Sequence, residues 1–182
     1  KTKKAQTFIF VGNKPNRNLP YAKWKELILL SASKRKTIVA DDPDQLIINQ
    51  LKADSEILKS KNIELIIGPR KLPDLARTAN DSGLFISLDG GAEHYLERYT
   101  NAIIIYTCGY PTNWKPYSLN PYKSTQTNSS QVLEESTTSI GIKKYVFYNM
   151  KERKPCYDLV CDYDKFKELD FSLISHFLIV FK

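Results

Sequence analysis

The 182-residue sequence contains no apolar run approaching the roughly 18 residues of a membrane-spanning helix. No secretory signal is visible either: Lys1 to Lys4 is basic, but only the short apolar stretch Phe8 to Val11 follows it. Cysteine is scarce, with Cys108, Cys156 and Cys161 too few for a disulfide framework, so a reducing cytosol is the expected compartment. Cys156 and Cys161 lack the two further ligands of a zinc site, and Cys108, after an apolar strand, reads as core. There is no Gly-x-Gly-x-x-Gly and no Walker A pattern, which argues against a dehydrogenase or a P-loop ATPase. No Ser-His-Asp set is placed together by the local sequence.

What is present is a folded, basic chain. Hydrophobic residues make up 42% and charged residues 26%, a balance that buries a core rather than leaving the chain disordered. The formal charge of +7 favours an anionic partner: nucleic acid, a phospholipid surface or a phosphorylated small molecule. The basic residues are spread along the chain and do not interleave with aromatics, and no RNA or DNA motif appears, so nucleic acid is not expected. A merely solvated lysine-rich surface stays open beside the anionic ligand.

Short β-rich runs alternate with helical segments. Strands are predicted at 8–11, 37–40, 63–67, 84–87 and 102–106. Helices are predicted over 21–33, from the opening Asp41-Asp42-Pro43-Asp44 to about Lys59, over 72–80, and after Asp89-Gly90-Gly91 to about Tyr99. Pro43 and Pro73 near helix starts, and acids in the first turn, supply the start signals. Strands joined by helices make right-handed βαβ units, and nearly all-apolar strands fit a parallel sheet covered on both faces. The expected fold is α/β, a Rossmann-like doubly wound parallel sheet in a single domain spanning 1–182. Residues 109–139, rich in Pro, Asn, Ser and Thr, read as a loop excursion, with a sixth strand at 145–148 and a closing helix over about 164–181.

In such a sheet ligands bind beyond the carboxyl ends of the strands. Five segments should therefore converge on one rim: 12–17, 41–44, 68–71, 89–94 and 108–114. The sharpest of them is Ser87-Leu88-Asp89-Gly90-Gly91-Ala92-Glu93-His94. Paired glycines at a strand-to-helix turn let backbone approach a ligand, and the free N–H groups of the following turn attract phosphate. A tight turn that simply needs glycine is the plainer alternative. His94, one of two histidines, lies one turn into the helix, within reach of the same ligand or of solvent. Asn13, Lys14 and Arg17 follow the first strand, where Arg17 could clamp a diphosphate or stay solvated.

These residues resemble a known family. Asp89-Gly90-Gly91 with His94 after an apolar strand, the strand at 102–106, and then Gly109-Tyr110-Pro111-Thr112-Asn113-Trp114-Lys115-Pro116-Tyr117 are similar to the C-terminal half of glycosyltransferase family 9. That family includes the ADP-heptose:lipopolysaccharide heptosyltransferases. Its pattern is Asp-Thr/Gly-Gly, a histidine three residues on, then Gly-Pro-Thr…Trp-x-Pro-Tyr. Asn18-Leu19-Pro20 with Trp24, Glu26 and Leu27 resembles its Lys-x-Trp-Pro…Trp-x-x-Leu segment, and Cys156 and Cys161 resemble its cysteine-containing tail, so the likeness runs along nearly the whole chain.

The resemblance implies the C-terminal half of a GT-B fold, in which this half binds the nucleotide-sugar. The activity implied is inverting, metal-independent transfer of a sugar, heptose from an ADP-linked donor, onto a lipopolysaccharide core or related glycan. No cofactor is implied besides that donor. Asp89, Gly90, Gly91 and His94 would contact the sugar and diphosphate. Arg17 stands where the family has a diphosphate-binding lysine, and Asn13 where it has a small hydroxyl residue. Arg70 falls near the adenosine position, and Asp44 (or Asp42) near an acid that holds a ribose hydroxyl. The family's Gly-x-Pro before the fifth strand is here Thr100-Asn101-Ala102. The implied partners are a glycolipid or oligosaccharide acceptor and an N-terminal GT-B domain, which carries the catalytic aspartate. The implied location is cytoplasmic, with peripheral contact at the inner membrane. A non-catalytic nucleotide-binding or partner-docking module is the alternative.

Overall fold

A computed structural model describes residues 4–11, 18–31, 35–41, 46–106, 115, 120–127, 131–149 and 169–180. Strands β1 (Lys4–Val11), β2 (Arg35–Ala40), β3 (Ile63–Ile67), β4 (Ser82–Leu88) and β5 (Asn101–Tyr106) alternate with helices α1 (Tyr21–Leu30), α2 (Leu46–Ala53), α3 (Ser55–Lys59), α4 (Leu72–Asp81) and α5 (Gly91–Leu96). Strands β6 (Lys123–Thr127), β7 (Gln131–Thr137) and β8 (Lys143–Asn149) follow, and α6 (Ser172–Val180) closes the described chain.

All eight strands join one sheet in the order β3-β2-β1-β4-β5-β8-β7-β6. The first six in that order are parallel, and β7 and β6 are antiparallel to their neighbours. β1 lies between β2 and β4, so the sheet grows outward in both directions from the first strand, as a doubly wound α/β sheet does.

Burial explains why the parallel strands read as continuous apolar runs. Successive side chains point to opposite faces, and both faces are covered. Ile9, Val11, Ile38, Ile86 and Ile103 pack beneath α1, α2 and α6, with Trp24, Leu27, Ile48 and Ile174 facing them. Phe8, Phe10, Val39, Phe85 and Ile104 pack on the other face beneath α4 and α5, against Leu75, Ala79 and Leu96. The Phe8 and Phe85 rings on paired strands stand 5.2 Å apart. Asn18 is buried because its side-chain oxygen accepts from the Trp24 indole N–H at 2.8 Å and from the Leu19 N–H at 3.0 Å.

Three departures from the sequence reading go beyond shifts of a few residues at element ends. The segment expected as one helix running to about Lys59 is broken at Asp54, whose carboxylate accepts from the Glu56 and Ile57 N–H groups and so starts α3. Asp54 is also held by Lys25 at 2.8 Å and by the Tyr21 hydroxyl at 2.7 Å, contacts that keep its carboxyl below the usual carboxylate range. Residues 109–139, expected as a loop, contain β6 and β7. The closing helix begins at Ser172, after Leu169, Asp170 and Phe171, rather than near 164. The cysteines at 108, 156 and 161 lie outside the described residues.

Among the described residues, no helix is long and apolar enough to cross a membrane. The turn from β7 to β8 runs through Thr138, whose N–H and hydroxyl both bond Ile142, and Gly141 adopts φ 80°, where a side chain is strained. Gly68 ends β3 the same way, at φ 92°, with its N–H donated to the Ala40 carbonyl at 2.9 Å.

Candidate functional site

The carboxyl end of β4 meets the rim between β1 and β5. Asp89 continues the sheet there, its N–H donated to the Ile105 carbonyl at 3.1 Å. Gly90 is extended and precedes α5, and its N–H donates to Glu93 Oε2 at 2.5 Å, which is the N3-to-N-cap half of a capping box, glycine having no side chain to supply the other half. At Gly91 an added Cβ would meet nothing within 4 Å, and its backbone is not left-handed. Nothing inside the fold demands glycine at 91, so the backbone is open to approach from outside.

The six residues of α5 and its C-cap residue, Glu97, sort their side chains by the helical period. Leu96 faces the core, and so do Glu93 and Glu97, which are 1% and 2% exposed. His94 sits at the edge, one third exposed, between two carboxyl groups. Its Nδ1 lies 3.1 Å from Glu93 Oε1, and its Nε2 lies 3.7 Å from Asp89 Oδ1.

Charge is concentrated at this point. Burial, and next the neighbouring Asp89 carboxylate, push the Glu93 carboxyl up to about 9, against the pull of the Gly90 N–H. Glu93 is thus protonated at neutral pH. The Tyr106 hydroxyl at the end of β5 is raised by its burial and by the same two acids. The exposed side of the site therefore presents the Asp89 oxygens as acceptors and an imidazole that can donate or accept, a pair suited to sugar hydroxyls and phosphate oxygens.

The sheet distributes the expected site residues unevenly. Asp89, Gly90, Gly91 and His94 come together at one turn. Arg70 lies exposed beyond the carboxyl end of β3, on the same rim. It is separated from Asp89 by three strand spacings, about 14 Å at roughly 4.8 Å per strand. Asn13, Arg17, Asp42 and Asp44 lie outside the described residues. The strands that carry the first and fourth rim loops, β1 and β4, are neighbours. Glu93 was missed from sequence, because an acid in a helix's first turn reads as a solvated charge. Its spacing from Gly90, N-cap to N3, was the available signal.

No family model matches the sequence, and no curated protein matches it at a significant level. Solved structures do match. One is the glycosyl transferase family 9 protein from Veillonella parvula DSM 2008, at 17% identity and TM-score 0.47, covering 64% of this chain and 34% of that one. Another is ADP-heptose lps heptosyltransferase II of E. coli, at 14% identity and TM-score 0.52, covering 69% of this chain and 40% of that one. The chain spans well under half the length of these two solved chains. At such identities the second likeness speaks for the fold alone: the chain has a Rossmann-like, glycosyltransferase-like α/β fold.

Proposed function

We propose that this chain is the donor-binding half of an inverting glycosyltransferase, transferring a sugar, heptose from an ADP-linked donor, to a lipopolysaccharide core or related glycan. The observation that carries the reading is the turn at the carboxyl end of β4. There Asp89 and His94 face one another across 3.7 Å beside a Gly91 backbone open to approach, on the rim where doubly wound sheets hold nucleotides. Asp89 would accept hydroxyls of the sugar, and His94 would donate to the sugar or the diphosphate. The Gly90 N–H is already taken by Glu93, so phosphate has to be held by other donors. Arg17, from the neighbouring first rim loop, is the charge available for that role. Arg70 would meet the adenosine end. As the diphosphate leaves, these donors stabilise its charge. The base that deprotonates the acceptor hydroxyl is assigned to an aspartate of a second GT-B domain.

The test is calorimetric titration of the chain with ADP-sugar, ADP and adenosine. Asp89→Ala and His94→Ala should each weaken ADP-sugar binding about tenfold or more, the scale of a lost hydrogen bond to a charged group, while adenosine binding holds. Neither heat nor thermal shift with millimolar ADP, UDP or GDP would overturn the reading.

A further inference from the structure

The same turn holds a third side chain, Glu93, that sugar recognition does not use. We propose that Asp89, Glu93 and His94 form a binding site for one divalent cation of the manganese, cobalt or zinc class. Each side chain offers one ligand atom, and the three atoms lie within 4.8 Å of one another. Glu93 is the telling member. Its side chain is 1% exposed, one oxygen is fixed by the Gly90 N–H, and the other makes no hydrogen bond. His94 Nδ1 is 3.1 Å from that oxygen, but not aligned to hydrogen-bond it. Two donors bound to one ion through bonds of about 2.1 Å stand roughly 3.0–3.4 Å apart, so this spacing is that of neighbouring metal ligands.

Geometry and donor chemistry agree on the class of ion. Two carboxylate oxygens and an imidazole nitrogen suit borderline cations, whereas magnesium and calcium prefer all-oxygen sites. The Gly90 N–H acts as the outer partner that fixes a ligating carboxylate. Glu93 closes the site from beneath. Asp89 and His94, at 22% and 33% exposure, border its open side, where water or an anionic oxygen completes the coordination. Two of the three ligands belong to the Asp-Gly-Gly…His pattern, but Glu93 does not, so this site is a departure from the metal-independent chemistry that the resemblance implies. It also stands whether or not a nucleotide-sugar binds nearby.

The experiment uses the full chain without nucleotide. Manganese is titrated while the relaxation of water protons and the broadening of the His94 imidazole signals are followed, and zinc is then added as a competitor. One ion should bind per chain, His94 should broaden selectively, and zinc should displace the manganese. Glu93→Gln keeps the volume and the acceptor for Gly90 but puts an amide nitrogen where the free carboxyl oxygen would give up its proton to the ion. It should weaken manganese about tenfold or more, as should Asp89→Asn and His94→Gln, the usual scale for a disturbed metal site. Should Glu93→Gln fail to fold, the other two variants, at partly exposed positions, decide the matter. No binding at millimolar manganese, or binding that these variants leave unchanged, would overturn the site.

Discussion

Among the described residues on the β3-β2-β1-β4 side of the sheet, the buried polar ones are Thr7, Asn18, Ser31, Thr37, Ser82 and Ser87, all neutral. On the β5-β8-β7 side they include Glu134 and Lys144, and the α5 connection from β4 to β5 adds Glu93 and Glu97. The neutral groups meet short local needs, as when Ser31 bonds Thr7 at 3.2 Å. The charged ones need each other. Lys144 Nζ lies 2.5 Å from Glu97, both 2% exposed, and Glu134 takes the Tyr148 hydroxyl at 2.8 Å together with the Lys115 ammonium. Tyr122 completes the group, its ring 5.4 Å from the Lys115 ammonium and its hydroxyl raised by burial and then by Glu97 and Glu134. One half is held by apolar area, which tolerates small adjustments. The other is held by paired charges, which do not, because an ion left alone in the interior is far costlier than a lost methyl.

The largest effect should come from breaking one charge pair. Lys144→Ala strands Glu97 and should cost about 3–5 kcal/mol in urea unfolding, whereas Lys144→Met combined with Glu97→Leu should return stability to the starting level or above it. A single-variant loss under about 1 kcal/mol would erase the contrast between the two halves.

Next comes Glu93, whose carboxyl is raised from the ordinary 4.5 to about 9. Between those values the folded chain binds more protons than the unfolded one, so stability is fully present below pH 4.5 and falls as pH rises toward 9. The steepest slope is about 1.4 kcal/mol per pH unit. Thermal unfolding across that window should show the decline, and Glu93→Gln should flatten it. An unchanged slope in the variant would place the titration elsewhere.

The smallest effect belongs to the apolar half. Ile9→Val, under α1 and α6, should cost about 0.5–1.5 kcal/mol with little dependence on pH. A larger loss, or a marked pH dependence, would show that the charged network reaches across β1.

The apolar half was also the legible half. Phe8-Ile9-Phe10-Val11 and Ala102-Ile103-Ile104-Ile105-Tyr106 announce strands because both of their faces are buried, and β3 falls where its five apolar-rich residues indicate. The β6–β7 hairpin was read as loop because Lys123-Ser124-Thr125-Gln126-Thr127 has no apolar residue and β7 mixes Val132 and Leu133 with buried Glu134. Such a segment is a strand only because β8 stands ready to pair with it, a long-range fact that local composition does not carry. The Asp54 break between α2 and α3 was hidden because apolar spacing continues through it, from Leu51 to Ile57, while the cap works through backbone N–H groups. At the site, Asp89, Gly90, Gly91 and His94 stood out as glycines and a rare histidine after a strand. Glu93 did not, since only the fold turns that charge inward.

The same hairpin protects the protein from its own sheet. A sheet that stopped at β5 would present the backbone of Ala102-Ile103-Ile104-Ile105 as an open ladder, a template on which another chain could add a strand. Three more strands carry that edge outward to β6, five residues long and polar at every position. A strand added there would gain main-chain hydrogen bonds, but no apolar side chains of β6 to bury, and would have to strip water from Lys123. The hairpin thus guards this edge of the sheet against strand addition, leaving β5 and β8 free to be as apolar as their packing requires.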